Sequence, residues 1–253
     1  MSAEGSKDFG HLFSGHAAAY ATFRPRYPAA LYDWLAALAP GTDLAWDVGT
    51  GNGQVAVALA SRFARVHATD PSAEQLANAE PHARVRYERT TYATALAEQS
   101  VQLVTVGQAL HWFDLVPFFA EVRRVLAPGG VFAAFAYTHS TVTPAIDELT
   151  RHYHDVTVGA YWAPEHHLIH AEYRTLALPI REVSAPTFEI SAEMSLAQYL
   201  GFLRTWSSAQ RLIKAEGEAK VLAFEATVAE AWGAKPQRLV RWPLILRVGT
   251  LVD

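Results

Sequence analysis

Ala45-Trp46-Asp47-Val48-Gly49-Thr50-Gly51-Asn52-Gly53-Gln54 reads as an apolar strand that ends in a carboxylate, a turn with three glycines and the start of a helix. The later stretch Val66-His67-Ala68-Thr69-Asp70-Pro71-Ser72 is a second strand that also ends in a carboxylate. Glycines allow positive φ in such a turn and leave no side chain between the backbone and a ligand. Asp70 stands where a carboxylate can accept hydrogen bonds from both hydroxyls of a ribose. The pattern predicts the first half of a nucleoside-binding α/β sheet.

Two details separate this turn from the dinucleotide fingerprint G-x-G-x-x-G. The third glycine is Gly53, and Gln54 stands where the fingerprint has its last glycine. Asp47 places a negative charge near the position of a pyrophosphate, where two like charges would repel. S-adenosylmethionine contains a sulfonium, an ammonium and an adenosine but no phosphate. The residues therefore favour S-adenosylmethionine over NAD.

The composition narrows the classes of function. The 253 residues suffice for one core, and no segment has the roughly 18 uninterrupted apolar residues of a membrane span. The absence of cysteine excludes disulfides, thiolate zinc sites and a cysteine nucleophile. A net charge of −4 without a run of Lys or Arg argues against binding to nucleic acid. The polar N-terminus lacks the plan of a signal peptide, so we expect a cytoplasmic monomer or homodimer that acts on a small molecule.

Strands and helices alternate along the first half of the chain. The predicted strands are 44–48, 65–69, 85–88, 101–106 and 131–136, and the predicted helices are 31–39, 54–63, 73–79 and 116–126. This alternation predicts a doubly wound parallel sheet. Ligands of such sheets bind beyond the carboxyl ends of the strands, where Asp47, Asp70 and the segments 90–92 and 108–112 fall. A strand near 187–190, helices within 196–232 and a strand over 239–248 are expected to complete the sheet.

Further motifs resemble the class I S-adenosylmethionine-dependent methyltransferases, in which D-x-G-x-G-x-G forms the cofactor loop. These motifs are Tyr20-x-x-x-Arg24-Pro25-x-Tyr27-Pro28, Gln108-Ala109-Leu110-His111-Trp112-Phe113, Arg124-Val125-Leu126-x-Pro128-Gly129-Gly130 and Tyr199-Leu200-Gly201-Phe202-Leu203-Arg204-Thr205-Trp206-Ser207. Together they are similar to the type 11 branch, and within it to the group around trans-aconitate methyltransferase. The resemblance implies a Rossmann-like, mostly parallel sheet with an antiparallel last strand and a helical cap over the C-terminal strand ends.

This resemblance also implies a domain organisation. We expect a single domain over residues 1–253, which begins with an N-terminal cap and lead-in helix in 1–40. The cofactor-binding core would occupy 41–137 and a helical cap insertion 138–180. Residues 181–253 would complete the sheet and supply helices on the substrate side.

Cofactor contacts follow from the resemblance residue by residue. Asp47 would meet the amino group of the methionine part of the cofactor, and Tyr20 and Arg24 would close over that end. The predicted cofactor-binding residues are Tyr20, Arg24, Asp47, Gly49, Thr50, Gly51, Asn52, Gly53, Asp70, Pro71, Ser72, Thr91, Tyr92 and Gln108. Thr50 and Tyr92 depart from the family pattern, which often has an acidic residue near the adenine where Tyr92 stands. Plainer roles stay open, namely Asp47 or Ser72 as a helix cap and Arg24 as a surface residue.

The segment after the fourth strand supplies the predicted catalytic residues, His111 and Trp112. Trp112 offers a π face to the sulfonium. His111 either binds a substrate carboxylate as a cation or acts as a general base, and a histidine that only bonds the backbone is the alternative. The predicted substrate-binding residues are His111, Tyr161, Trp162, Arg204 and Trp206, with Arg24 as a further possible partner of a carboxylate.

Histidines cluster in the segment after the fifth strand. They are His152, His154, His166, His167 and His170. His166 and His170 have the i, i+4 spacing of a helical zinc pair, but no glutamate follows His166 and methyl transfer requires no metal. We therefore expect no metal site and predict that these side chains line or cover the substrate pocket.

Methyl transfer is an in-line displacement at the methyl group of the sulfonium. A carboxylate is already ionised at neutral pH and needs no base, so catalysis then depends on alignment and on exclusion of water. The sequence therefore predicts O-methylation of a small organic acid. An N- or C-methyltransferase, an NAD-dependent oxidoreductase and a non-catalytic cofactor-binding module stay open as alternatives.

Overall fold

The computed structural model describes residues 25–252, in which eight strands form one sheet. The strands are β1 (Leu44–Val48), β2 (Arg65–Asp70), β3 (Val85–Arg89), β4 (Val101–Gly107), β5 (Leu126–Tyr137), β6 (Ile180–Glu182), β7 (Glu189–Met194) and β8 (Arg238–Leu251). The α-helices of this part of the chain are α1 (Ala29–Leu38), α2 (Gln54–Leu59), α3 (Ala73–Ala77), α4 (Leu115–Val125), α5 (Pro144–His152), α6 (His167–His170), α7 (Leu196–Arg204), α8 (Ser207–Glu216) and α9 (Ala219–Trp232).

The sheet has the order β3-β2-β1-β4-β5-β8-β6, and β7 pairs with β8. Strands β1 to β5 pair in parallel, whereas β8 runs antiparallel to β5, β6 and β7. Helical crossovers cover both faces of the parallel part, so its central strands are largely apolar, and all five residues of β1, Asp47 included, are buried. The predicted doubly wound sheet with an antiparallel last strand is confirmed.

Alternate residues of the central strands supply the cores on the two faces of the sheet, because successive side chains of a strand point to opposite sides. Trp46 and Val104 pack with Phe118 of α4 on one face. Ala45 and Leu103 pack with residues of α1 and α2 on the other face. A third apolar cluster joins β7 and β8 to helices α7, α8 and α9.

Several boundaries differ from the sequence prediction. The predicted helix 54–63 ends at Leu59, because the chain turns after Ala60 and buries Phe63 in the core, so the apolar run there reflects burial rather than helix. Strand β5 begins at Leu126 instead of 131, since Gly129 adopts a φ of +73° and the ladder continues across a register shift. The short strand β6 was not predicted, because only its pairing with β8 defines it.

The segment between β5 and β6 is a series of short helical pieces. After α5 comes a π-helical turn at Tyr153–Thr157, followed by 3-10 turns at Gly159–Tyr161 and Pro164–His166 that lead into α6. Within residues 25–252 no helix combines the length and the apolar character that a membrane crossing requires.

Candidate functional site

The turn after β1, here called the glycine turn (residues 49–53), holds its three glycines in left-handed conformations. Gly49, Gly51 and Gly53 have φ values of +66°, +56° and +84°, which residues with a side chain rarely adopt. A Cβ atom on Gly53 would lie 2.1 Å from the Tyr87 hydroxyl oxygen, and one on Gly49 would lie 2.8 Å from Cβ of Ala109. Gly49 and Gly53 are therefore required for reasons of both backbone conformation and space, whereas Gly51, where a Cβ would lie 3.7 Å from the Gln75 side-chain oxygen, is required for its backbone conformation alone.

Asp70 connects the glycine turn to the start of α3. Its two carboxylate oxygens accept hydrogen bonds from the Gly51 amide at 2.9 Å and from the Ser72 amide at 2.8 Å. Burial raises the pKa of Asp70, and these two amides oppose that shift. Because a carboxylate oxygen can accept more than one hydrogen bond, both oxygens remain able to accept from the hydroxyls of a ribose.

Asp47 lies beneath the glycine turn. Its carboxylate is 1% exposed and accepts hydrogen bonds from the hydroxyls of Thr50 and Thr105, at 2.6 and 2.7 Å. Burial raises the pKa of Asp47 to about 7, although the two hydroxyls act in the opposite direction. In this structure the carboxylate therefore ties the turn to β4, behind the residues that a ligand would touch.

A cavity of about 760 Å³ opens along the carboxyl ends of β1, β2, β4 and β5, a volume within the range of small-molecule sites. The predicted site residues that line it are Gly49, Thr50, Gly51, Asn52, Asp70, Pro71, Ser72, Gln108, His111, Trp112, Trp162 and Trp206. The predicted residues that do not line it are Asp47, Gly53, Thr91, Tyr92, Tyr161 and Arg204. Tyr20 and Arg24 lie outside the described residues.

Gln108 and Tyr92, both predicted to contact the cofactor, make their hydrogen bonds within the protein. The side chain of Gln108 donates to the Tyr137 carbonyl at 3.2 Å and accepts from the Tyr137 amide at 2.9 Å, which joins the ends of β4 and β5. The Tyr92 hydroxyl accepts from the Asp114 amide at 2.8 Å, and its ring packs against Phe113. Tyr92 does not line the cavity, whereas Phe113, which the sequence analysis did not select, does.

His111 occupies a 3-10 turn, Leu110–Trp112, directly after β4 and is buried in the cavity wall. Its Nδ1 lies 3.1 Å from the Tyr173 hydroxyl oxygen, and its ring centre is 4.7 Å from that of Trp112. Arg247 donates hydrogen bonds to the Tyr173 carbonyl and, at 2.8 Å, to Glu182. Strands β6 and β8 thereby fix Tyr173 and, through it, the orientation of the His111 imidazole.

The sequence analysis predicted that Arg204 binds the substrate, but its side chain does not line the cavity. It lies at the end of α7, where its guanidinium donates to both oxygens of Glu225 at 2.5 and 2.9 Å. Tyr161 also lies outside the lining, and its hydroxyl donates to Glu216. Each of the two side chains points away from the strand ends. Each joins two helical segments through its hydrogen bonds instead.

Two cations of α8, Arg211 and Lys214, line the cavity instead. Arg211 donates to the Tyr161 carbonyl at 3.1 Å. Sequence reasoning missed both residues, and their spacing of three positions along a helix is the signal that would have placed them on one face.

Gln75 is a further residue that sequence reasoning missed. It lies on α3, three positions after Ser72, and its side chain is 6% exposed. Its side-chain oxygen is buried and has no hydrogen-bond partner among the described residues, and it belongs to the lining of the cavity. Since a buried polar atom without a partner is costly, this oxygen is suited to accept a hydrogen bond from a bound ligand.

Four histidines, here called the histidine wall, line the part of the cavity that follows β5. They are His139, His154, His166 and His170. Burial lowers the pKa of His154 to about 4 and that of His166 to about 2, and it also lowers the pKa of the other two. The wall is therefore uncharged at neutral pH.

The composition of the histidine wall differs in part from the prediction. His139 was not singled out from the sequence, although it stands just after β5, where ligands of a parallel sheet bind. His152 and His167, which were predicted to line or cover the pocket, are exposed and lie outside the lining.

An open sheet with a glycine turn, a carboxylate at the end of β2 and a cavity at the strand ends is typical of nucleoside-binding α/β proteins. A family model described as a methyltransferase domain of type 11 matches residues 46–134. A Dictyostelium discoideum protein whose name assigns it to the methyltransferases is 31% identical over 229 residues, which cover 88% of this chain and 87% of that protein.

Two further relatives agree with this assignment. A solved structure of an Anaeromyxobacter dehalogenans protein, assigned to type II methyltransferases, has a TM-score of 0.85 at 38% identity and covers 91% of this chain and 99% of that one. A Saccharomyces cerevisiae protein named as S-adenosylmethionine-dependent is 29% identical over 128 residues, which cover 47% of this chain and 44% of that protein. The chain belongs to the class I S-adenosylmethionine-dependent methyltransferases, and S-adenosylmethionine is its cofactor.

Proposed function

We propose that the protein transfers the methyl group of S-adenosylmethionine to a carboxylate oxygen of a small organic acid. The observation that carries this proposal is the charge of the cavity. Arg211 and Lys214 line it, and among the described lining residues Asp70 is the only carboxylate. The two cations of α8 would therefore attract an anionic acceptor, and only the Asp70 carboxylate would repel it. The resemblance of the sequence motifs to the trans-aconitate methyltransferase group supports the same class of acceptor.

Chemically, a carboxylate oxygen attacks the methyl carbon as the bond from that carbon to sulfur breaks. The electron pair of the broken bond stays on sulfur, and the products are a methyl ester and S-adenosylhomocysteine. No proton is transferred, so the protein has to align the reactants and exclude water. The aromatic rings of Trp112, Trp162 and Trp206 in the lining are suited to both tasks.

We also propose how the two reactants share the cavity. The cofactor would bind along the glycine turn, with its ribose hydroxyls donating to Asp70 and an adenosine donor meeting the free side-chain oxygen of Gln75. Residues 138–180 would act as the cap over the acceptor within a single domain, since this segment supplies the histidine wall. His111, held by Tyr173, would contact the acceptor beside the methyl group.

An acceptor panel tests the proposal. The purified protein is incubated with S-adenosylmethionine bearing a labelled methyl group and with mono-, di- and tricarboxylic acids, and base-labile methyl esters are measured. The same assay on amines and phenols provides the comparison. Ester formation with at least one acid supports the proposal, whereas turnover on amines or phenols without any ester would overturn it.

Lysine variants sharpen the test. Lys214→Ala should raise KM for the acid by about tenfold, the equivalent of one moderate charge-assisted contact, while the affinity for S-adenosylmethionine stays the same. Lys235→Ala is the matched control, because Lys235 lies outside the cavity lining. Equal KM values for the two variants would remove Lys214 from the acceptor site.

Methylation of an amine or phenol is the second candidate function. The observation that favours it is the histidine wall, because neutral imidazoles can accept the proton that such an acceptor loses. The amine and phenol arms of the panel measure this directly.

A further inference from the structure

Three histidines from separate segments converge at one point of the cavity wall. His139 follows β5, His154 lies in the π-helical turn after α5, and His170 ends α6. One ring nitrogen from each of the three lies within 4.8 Å of those of the other two. The residues are 15 or more positions apart in sequence, so only the tertiary fold brings them together.

The spacing of two of these nitrogens matches that of ligands around a tetrahedral ion. Nε2 of His154 lies 3.2 Å from Nε2 of His170, and a ring nitrogen of His139 lies within 4.8 Å of a ring nitrogen of each. Zinc binds imidazole nitrogen at about 2.0–2.1 Å with tetrahedral angles, which places two such nitrogens about 3.3 Å apart. A metal ion could therefore bind between His154 and His170 as they stand, and the ring of His139 would approach them to complete the three ligands.

A carboxylate orients the central ligand. Nδ1 of His154 lies 2.7 Å from Oδ1 of Asp155, so the hydrogen-bond pattern assigns the proton to Nδ1 and leaves a lone pair on Nε2. A histidine that binds a metal typically donates its other ring N–H to a carboxylate in this way, which fixes the tautomer and the ring orientation. The Trp162 indole nitrogen donates to the His154 carbonyl at 3.2 Å and holds the backbone of the same residue.

We propose that His139, His154 and His170 bind a divalent transition-metal ion of the zinc type in the wall of the cavity. Three protein ligands leave one position of a tetrahedral ion open, which is the arrangement of zinc sites that bind a substrate. All three histidines line the cavity, so the open position is accessible to the acceptor. His166 is stacked on the Trp162 ring, at 3.7 Å between ring centres, and flanks the site.

The site also specifies the acceptor, a step that rests on the proposed function. A metal ion binds oxygen anions, and an oxygen bound to the ion is a weaker nucleophile than a free one. An acid with two oxygen functions would therefore bind the ion through one of them and present its free carboxylate to the methyl group. Arg211 and Lys214 fit such an acid, since they offer two positive charges in the same cavity.

Metal binding is tested without reference to turnover. The purified protein is treated with a chelator, freed of it, and titrated with Zn²⁺ against a chromophoric competitor, while Co²⁺ loading reports geometry through its tetrahedral absorption bands. We expect one equivalent of Zn²⁺ to bind and a tetrahedral Co²⁺ spectrum. His154→Asn and His170→Asn should each weaken binding by about a hundredfold or more, and Asp155→Asn by about tenfold.

The controls separate a metal site from a hydrogen-bonded histidine cluster. His152→Asn alters an exposed histidine two positions from His154 and should bind Zn²⁺ as the unaltered protein does. Retained binding of S-adenosylmethionine shows that each variant is folded. Equal Zn²⁺ affinity in the His152→Asn and His154→Asn variants, or no stoichiometric binding in the unaltered protein, would overturn the proposal.

The acceptor step is assayed separately from the metal site. If Zn²⁺ binds but no acid is methylated, the metal site stands and the proposed function fails. If acids are methylated equally with and without Zn²⁺ and no Zn²⁺ binds, the proposed function stands and the metal site fails.

Discussion

The glycine turn and the histidine wall face the same cavity, but the chain builds them in different ways. The turn consists of consecutive residues whose contacts are made largely by the backbone, with Asp70 accepting from the amides of Gly51 and Ser72. The wall consists of side chains that come from distant positions and touch one another. The glycine turn suits a ligand that does not vary, such as the cofactor, because backbone geometry leaves little freedom for variation. The histidine wall can change with single substitutions, which suits the part of an enzyme that selects its acceptor.

A substitution within the glycine turn should have the largest effect. Gly53→Ala would place Cβ 2.1 Å from the Tyr87 hydroxyl oxygen at a φ of +84°. Left-handed strain and overpacking together should lower the free energy of unfolding by about 4 kcal/mol, and binding of S-adenosylmethionine should be lost. Denaturant unfolding and calorimetric titration measure the two effects.

Gly129→Ala provides a control for that substitution. Gly129 also has a positive φ, +73°, but a Cβ there would make only an ordinary contact, at 4.0 Å from Cβ of Pro40. Its cost should therefore be limited to the backbone strain. Equal destabilisation of the two variants would show that contact with Tyr87 is not what constrains Gly53.

Asp70 tests whether the cofactor end depends on one carboxylate. Asp70→Asn keeps the shape of the side chain but loses the charge that would accept from two ribose hydroxyls. The affinity for S-adenosylmethionine should fall by about 3 kcal/mol, or roughly a hundredfold. Titration with S-adenosylhomocysteine should show the same loss, since the adenosine is common to both ligands. An unchanged affinity would place the ribose elsewhere.

A substitution of Asp47 tests the effect of burying a carboxylate beneath the glycine turn. Burial raises its pKa from an ordinary value of 3.8 to about 7 in the folded protein, so the folded state holds the proton more tightly than the unfolded state does. The cost of burying the charge is therefore absent below about pH 4, grows as the pH rises and is complete above pH 7. Relative to Asp47→Asn, the unaltered protein should lose about 3 kcal/mol of stability between pH 5 and pH 8.5. Parallel pH dependences of the two proteins in denaturant unfolding would contradict the raised pKa.

A substitution of Arg204 tests whether this residue belongs to the acceptor site. Its bidentate pair with Glu225 lies outside the cavity, so Arg204→Gln should cost about 1 kcal/mol of stability and leave KM for the acceptor unchanged. Glu225→Gln should reproduce the loss. A rise in KM for Arg204→Gln alone, with S-adenosylmethionine binding intact, would return Arg204 to the substrate site.

The elements of the sheet could be predicted well because their signals are local. Runs of apolar residues between glycine and proline breaks indicated β1 to β4 to within a residue or two, and the cofactor followed from residues 45–54 and Asp70. The acceptor side was predicted less accurately. Arg204 was selected and Arg211 was missed, although they lie on neighbouring helices, because the sequence does not reveal which face of α7 or α8 turns toward the strand ends.

The parallel sheet, the glycine turn and the cofactor could be predicted from the sequence, because each depends on residues close together in the chain and on backbone conformations that few residue types adopt. Which side chains share the cavity depends instead on the packing of distant segments. This packing brought His139 beside His154 and His170, placed Asp47 beneath the turn and turned Arg204 away. These contacts join segments distant in sequence, so their geometry exists only once the helices have packed on the sheet.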